Sequence, residues 1–131
     1  MTHMRILKLL VIDTNKTVRE KIAGILSGHE KVRAVCQMAE FVDVGGIVRE
    51  FRPHAVLIDL SLAAAHAHSL GVLRNKNSDV EFIVICEDGW DLFQDSEAAS
   101  RLHADHIIDK ARLWRDMDPV LENLAAATSR G

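Results

Sequence analysis

The chain has 131 residues, 48% of them hydrophobic, with 16 basic against 19 acidic side chains and a formal charge of −3. That length fits one domain, with a core over about residues 5–128, and leaves no room for a second. Without a basic run beyond scattered pairs, nucleic acid is not expected as a partner of this chain alone. No apolar stretch approaches the roughly 18–20 residues of a membrane span, and Met1-Thr2-His3-Met4-Arg5 lacks a signal-peptide core, so a cytoplasmic protein is expected.

Short apolar runs alternate with amphipathic segments, the pattern of an α/β sheet with helices on both faces. The first strand is expected over about Ile6–Ile12. A helix over Lys16–Leu26 follows, with Val18, Ile22, Ile25 and Leu26 on its buried face, stopped by Ser27-Gly28-His29. A second strand covers Val32–Cys36, and a helix up to Phe51 places Val44, Ile47, Val48 and Phe51 on one stripe. Gly45-Gly46 interrupts that helix. Each interior glycine costs about 0.8–1.0 kcal/mol relative to alanine, so this helix is expected to be the weakest or shortest, and Pro53 ends it.

A third strand is expected over Ala55–Ile58, a helix around Ser69–Asn75, and a fourth strand over Glu81–Cys86. A helix near Leu92–Leu102 buries Leu92, Ala99 and Leu102, and a short fifth strand, His106–Ile108, leads into Asp109-Lys110. The last helix is expected to start at Asp118-Pro119, because aspartate caps well and proline suits the first helical position; Val120, Leu121 and Leu124 then face the sheet. Cys36 and Cys86 each lie in a run that reads as a buried strand, so both are expected reduced.

Asp13 and Asp59 each close an apolar run of the kind that forms a strand buried on both faces. Ligands of parallel sheets bind at the carboxyl ends of the strands, so two carboxylates at that end point to one acidic pocket. The order of the pieces Val11-Ile12-Asp13-Thr14-Asn15, Arg52-Pro53-His54-Ala55-Val56-Leu57-Ile58-Asp59-Leu60 and His103-Ala104-Asp105-His106-Ile107-Ile108-Asp109-Lys110 resembles the receiver domain of two-component response regulators. It is most similar to receivers that precede a helix-turn-helix output domain. The resemblance covers nearly the whole chain and implies a flavodoxin-like (βα)5 sandwich with a parallel sheet of order 2-1-3-4-5.

For chemistry it implies phosphoryl transfer from the phosphohistidine of a sensor histidine kinase or phosphotransfer protein to Asp59, without enzymatic turnover. Asp13, Asp59 and the backbone carbonyl of Ser61 would hold Mg²⁺, which takes few carboxylates and keeps several waters. Lys110 would pair with a phosphoryl oxygen. A second copy of the chain or an output domain would be a further partner. Taken alone, Asp13 reads as a helix N-cap and Lys110 as a solvated loop lysine; the order of the three favours the functional reading.

Departures from the family pattern accompany these matches. Strand one of the family ends in two acidic residues, but Thr14 follows Asp13, so magnesium is expected to bind weakly. Cys86 stands where the family has a serine or threonine hydroxyl, and a thiol is a weak donor. Ile107 replaces the aromatic that swings inward in strand five. Alanines follow Asp59 where proline and glycine are usual, and are expected to extend the third helix toward the pocket. A degenerate pseudo-receiver, binding partners without phosphorylation, is therefore the alternative.

His66-x-His68 and His103-x-x-His106 lack a cysteine or carboxylate at zinc spacing and are not read as metal sites, although His66 and His68 lie beside the acidic pocket, where their protonation would tune it. Trp90 reads as a cap on the fourth helix beside the family's contact face. Cys86 reads as inert, since neighbouring carboxylates disfavour the thiolate. A flavin carrier of the same fold is disfavoured because Thr14-Asn15-Lys16-Thr17 lacks a dense phosphate cradle.

Overall fold

Leu7, Leu9 and Val11 of β1 (Leu7–Ile12) belong to one buried cluster and Leu10 and Ile12 to another, which is what a strand covered on both faces requires. The computed structural model describes residues 5–86 and 102–126. Its other strands are β2 (Val32–Met38), β3 (Ala55–Asp59), β4 (Glu81–Cys86) and β5 (His106–Asp109). All pair in parallel, in the order β2-β1-β3-β4-β5, so the flavodoxin-like topology expected from the sequence is the observed one.

One face of the sheet is covered by α1 (Lys16–Ser27) and α5 (Leu113–Ala126), which contribute Ile22, Leu26, Met117 and Leu121 to the first cluster. The other is covered by α2 (Val44–Phe51), α3 (Leu60–Ala65) and α4 (Ala67–Lys76), through Val44, Val48, Ala63, Leu70 and Leu73. The alanines after Asp59 do form helix, but as a separate α3 that stops at His66 instead of extending the helix expected around Ser69–Asn75, and at six residues it is shorter than the eight-residue α2 despite Gly45-Gly46. α2 ends at Phe51, with Arg52 left-handed (φ 53°) ahead of Pro53.

Several expectations need correction. Ile25 is 37% exposed, because Ala23 joins Ile22 and Leu26 in the buried stripe and shifts its centre away from Ile25. Cys36 is only half-buried: β2 is an edge strand, without a buried position along it, whereas Cys86 on β4 is fully enclosed. The last helix begins at Leu113, not Asp118, since Leu113 and Met117 bury against the sheet and draw the helix back toward a 3-10 turn at Lys110–Arg112. Asp109 caps that turn, its side chain accepting from the Ala111 amide at 2.8 Å, and Pro119 is left inside α5. Trp90 and the body of the helix expected near Leu92–Leu102 lie outside the described residues; Leu102 itself is a buried turn residue.

Candidate functional site

The sheet register brings the carboxyl ends of β1, β3 and β5 to one edge: Ile12 pairs with Ile58, Asp59 with Ile85, and Cys86 with Asp109. Strand order reverses between β1 and β3, where an open α/β sheet leaves a crevice. Asp13 follows β1, Asp59 closes β3 and Lys110 follows β5, so residues 46 and 51 positions apart converge there. Lys110 Nζ donates to Asp59 Oδ1 at 2.8 Å and lies 3.5 Å from Asp13 Oδ2.

Local structure fixes each carboxylate. Asp13 Oδ1 accepts from the Asn15 amide at 2.9 Å in a tight turn that launches α1, and the Asn15 side chain caps that helix by accepting from the Val18 amide at 3.0 Å. Arg19, one turn further on, donates from Nη1 to the Asp13 carbonyl at 2.9 Å. Asp59 Oδ2 caps α3 by accepting from the Ser61 amide at 3.1 Å. It is therefore the Ser61 N–H that meets Asp59; helical carbonyls point toward the C-terminal end, so the Ser61 carbonyl faces along α3.

Among the described residues, Asp13 (3% exposed) and Asp59 (8%) are the buried charged side chains. Two carboxylates face one ammonium. Burial pulls the Lys110 pKa down, but the bond to Asp59 and the charges of Asp13 and Asp59 outweigh it, so its pKa is raised and the ammonium stays charged. Asp13 Oδ2 is buried and has no hydrogen-bond partner. An orphaned carboxylate oxygen beside a second carboxylate, with one negative charge in excess, is a hard-oxygen donor set that fits Mg²⁺.

The departures also take physical form. The Cys86 thiol is fully buried and donates to the Ile108 carbonyl at 3.5 Å. Thr14 is exposed, and Ile107 is half-buried against the α2–α4 side of the core. Asn15 and Arg19 thus support the Asp13 side of the site through the backbone. Asn15 carried a legible signal, an N-cap residue just before an amphipathic run; Arg19 carried none beyond lying one turn after it.

The other histidines are accounted for structurally. His66 joins α3 to α4 and stacks its ring on Phe41, centroids 4.9 Å apart, while His68 is exposed. His103 lies against Gly71, and His106 Nε2 is 3.6 Å from Glu81 Oε2; among the described residues neither histidine pair joins a cluster of three candidate ligands. His29, Asp118 and Glu122 do cluster, with His29 Nε2 2.9 Å from Asp118 Oδ1 and 3.7 Å from Glu122 Oε1. The Lys31 amide donates to His29 Nδ1 at 3.0 Å, which puts the ring proton on Nε2, facing the carboxylates. That geometry ties α5 to the loop ahead of β2.

No protein-family model matches the chain, and no curated protein matches it. Solved structures do. It is similar to the receiver domain of AraT, a response regulator from Geobacillus stearothermophilus, with 23% identity, a TM-score of 0.71, and 91% of this chain and 95% of that one covered. The response regulator domain of Thermotoga maritima CheB matches at 14% identity and a TM-score of 0.72, covering 95% of this chain and 99% of that one. The Salmonella typhimurium RcsB response regulator matches at 16% identity and a TM-score of 0.73, covering 99% of this chain but 65% of the longer one. The chain thus has the receiver-domain fold of response regulators. In the described residues no helix is long and apolar enough to cross a membrane.

Proposed function

We propose that this chain is the receiver of a two-component phosphorelay and accepts a phosphoryl group on Asp59. The observation that carries the reading is the convergence of Asp13, Asp59 and Lys110, remote in sequence, into one buried and acid-rich cluster. In the transfer, an Asp59 carboxylate oxygen forms the new bond to phosphorus as the P–N bond of a phosphohistidine breaks. The bonding pair and a proton go to the departing imidazole. Lys110, already at 2.8 Å, moves its positive charge from Asp59 to the phosphoryl oxygens. Asp13 and Asp59 would hold Mg²⁺, which supplies positive charge to the transferring group. The Ser61 carbonyl joins that set only if the first turn of α3 opens.

The donor is the phosphohistidine of a sensor histidine kinase or phosphotransfer protein, and the downstream partner is an output domain or a second copy. The test is uptake of label from acetyl phosphate with Mg²⁺. The reading expects label that is released by hydroxylamine, as an acyl phosphate is, and is absent from Asp59→Asn. Hydroxylamine-stable label, or label retained by Asp59→Asn, overturns it.

A second reading is favoured by one observation. Both Asp59 oxygens already accept hydrogen bonds, from Lys110 and from the Ser61 amide, and Cys86 offers only a thiol. A pseudo-receiver that docks partners without phosphorylation would use the same fold. It expects no label, and partner binding that is the same in wild type and Asp59→Asn.

A further inference from the structure

Between α2 and α4 runs a groove of about 450 Å³ whose lining includes none of Asp13, Asp59 and Lys110. That volume is within the range of about 300–1,000 Å³ typical of small-ligand sites. Its two ends differ in chemistry. One is aromatic, where Phe41 stacks on His66 with the rings 17° from parallel. The other carries Arg49, in the last turn of α2, and Lys76, in the last turn of α4. Neither cation has a hydrogen bond or ion pair among the described residues.

Between the ends the lining includes Val44, Gly45, Val72 and Leu73 beside Asp43 and Ser69. Leu73 lies beneath Gly45, whose missing side chain leaves room: a Cβ there would only reach Leu73 Cδ1 at 4.0 Å. Val72, on the wall, is 41% exposed. From Ser69 to Lys76 the groove follows eight residues of α4, about 10 Å at helical rise. The acid in the lining, Asp43, holds its carboxylate over Gly46, 2.8 Å from where a Cβ would stand, and so against the backbone of α2.

We propose that this groove binds a small organic anion with an aromatic body, its ring beside Phe41 and His66 and its carboxylate or phosphate between Arg49 and Lys76. Cations in the last turns of two helices also complement helix dipoles, which accounts for their sign. It does not account for both lining one cavity together with the apolar side chains of Val72 and Leu73.

The experiment is an amide NMR titration of the full chain with 4-phenylbutyrate and with its neutral amide, 4-phenylbutyramide. The proposal expects saturable shifts confined to the groove, at Phe41, Gly45, His66, Ser69 and Asn77, with the neutral probe weaker. Arg49→Gln and Lys76→Gln, both exposed and expected to fold normally, each weaken the carboxylate by about threefold and leave the amide unchanged, as loss of an exposed ion pair should. No saturable shifts up to about 10 mM probe, shifts centred elsewhere, or affinity indifferent to the charge on ligand and groove would overturn it.

Discussion

Lys110 lies between two buried carboxylates, and replacing it with methionine, which keeps the stem and removes the charge, exposes the energetics of the cluster. At an effective dielectric of about 20, the contacts at 2.8 Å and 3.5 Å are worth about 6 and about 5 kcal/mol of Coulomb attraction, much of it offset by desolvation. Removing one partner of a buried pair costs about 3–5 kcal/mol. The low end applies because the Lys110 side chain is 19% exposed. At about 3–4 °C per kcal/mol for a domain of this size, Lys110→Met should melt about 10 °C below wild type in chelator, followed by circular dichroism. Mg²⁺ should then raise the variant more than the wild type, because the ion takes the place of the ammonium. With a Kd of about 1 mM, 10 mM Mg²⁺ would restore about 1.4 kcal/mol. A variant melting within about 1 °C of wild type in chelator would refute the claim that Lys110 neutralises a buried acidic pair.

Three further predictions follow from single contacts. Cys86→Ser, which replaces a weak thiol donor with a hydroxyl, should raise the initial rate of phosphoryl uptake from acetyl phosphate by at least about threefold, and an unchanged rate would remove this position from the pocket. Pro119→Ala should stabilise the chain by about 1–3 kcal/mol in urea melts, since the exposed proline sits inside α5 without an N–H to donate; destabilisation would put the helix start at Pro119 after all. His54 Nδ1 accepts the Lys8 amide of β1 at 3.0 Å, and burial, with Arg5 and Lys8, holds its pKa below the ordinary 6.5. The unfolded chain then binds the proton more readily, so this contribution is whole above pH 6.5 and is lost as pH falls through the folded value. His54→Asn keeps an acceptor without titrating, and should flatten the slope of stability against pH just below 6.5; an unchanged slope would refute it.

The strands were legible because β3 and β4 are buried on both faces, which forces apolar runs that stop where the chain meets the crevice. Asp59 shows itself at such a stop. The alanines after it likewise announced helix, though not the break at His66 that divides α3 from α4. Legibility failed where remote burial outweighed a local signal. Asp118-Pro119 is a strong helix start in isolation, but burial of Leu113 and Met117 against the sheet governs where α5 begins. Cys36 and Cys86 sit in similar runs and differ only in strand position, edge against interior, which follows from topology and not from the run itself. The bonds from Arg19 to the Asp13 carbonyl and from the Ser61 amide to Asp59 depend on backbone geometry that residue types do not announce. The pairing of Arg49 with Lys76 across one groove is of the same kind, since it arises only when α2 and α4 lie side by side on the sheet.

The central claim is that the cluster of Asp13, Asp59 and Lys110 makes Asp59 a cation-assisted phosphoryl acceptor. Intact-protein mass after incubation with acetyl phosphate, with and without Mg²⁺, tests it most directly. A gain of one phosphate that requires Mg²⁺ and disappears in both Asp13→Asn and Asp59→Asn is the predicted result; an unchanged mass at saturating Mg²⁺ contradicts it.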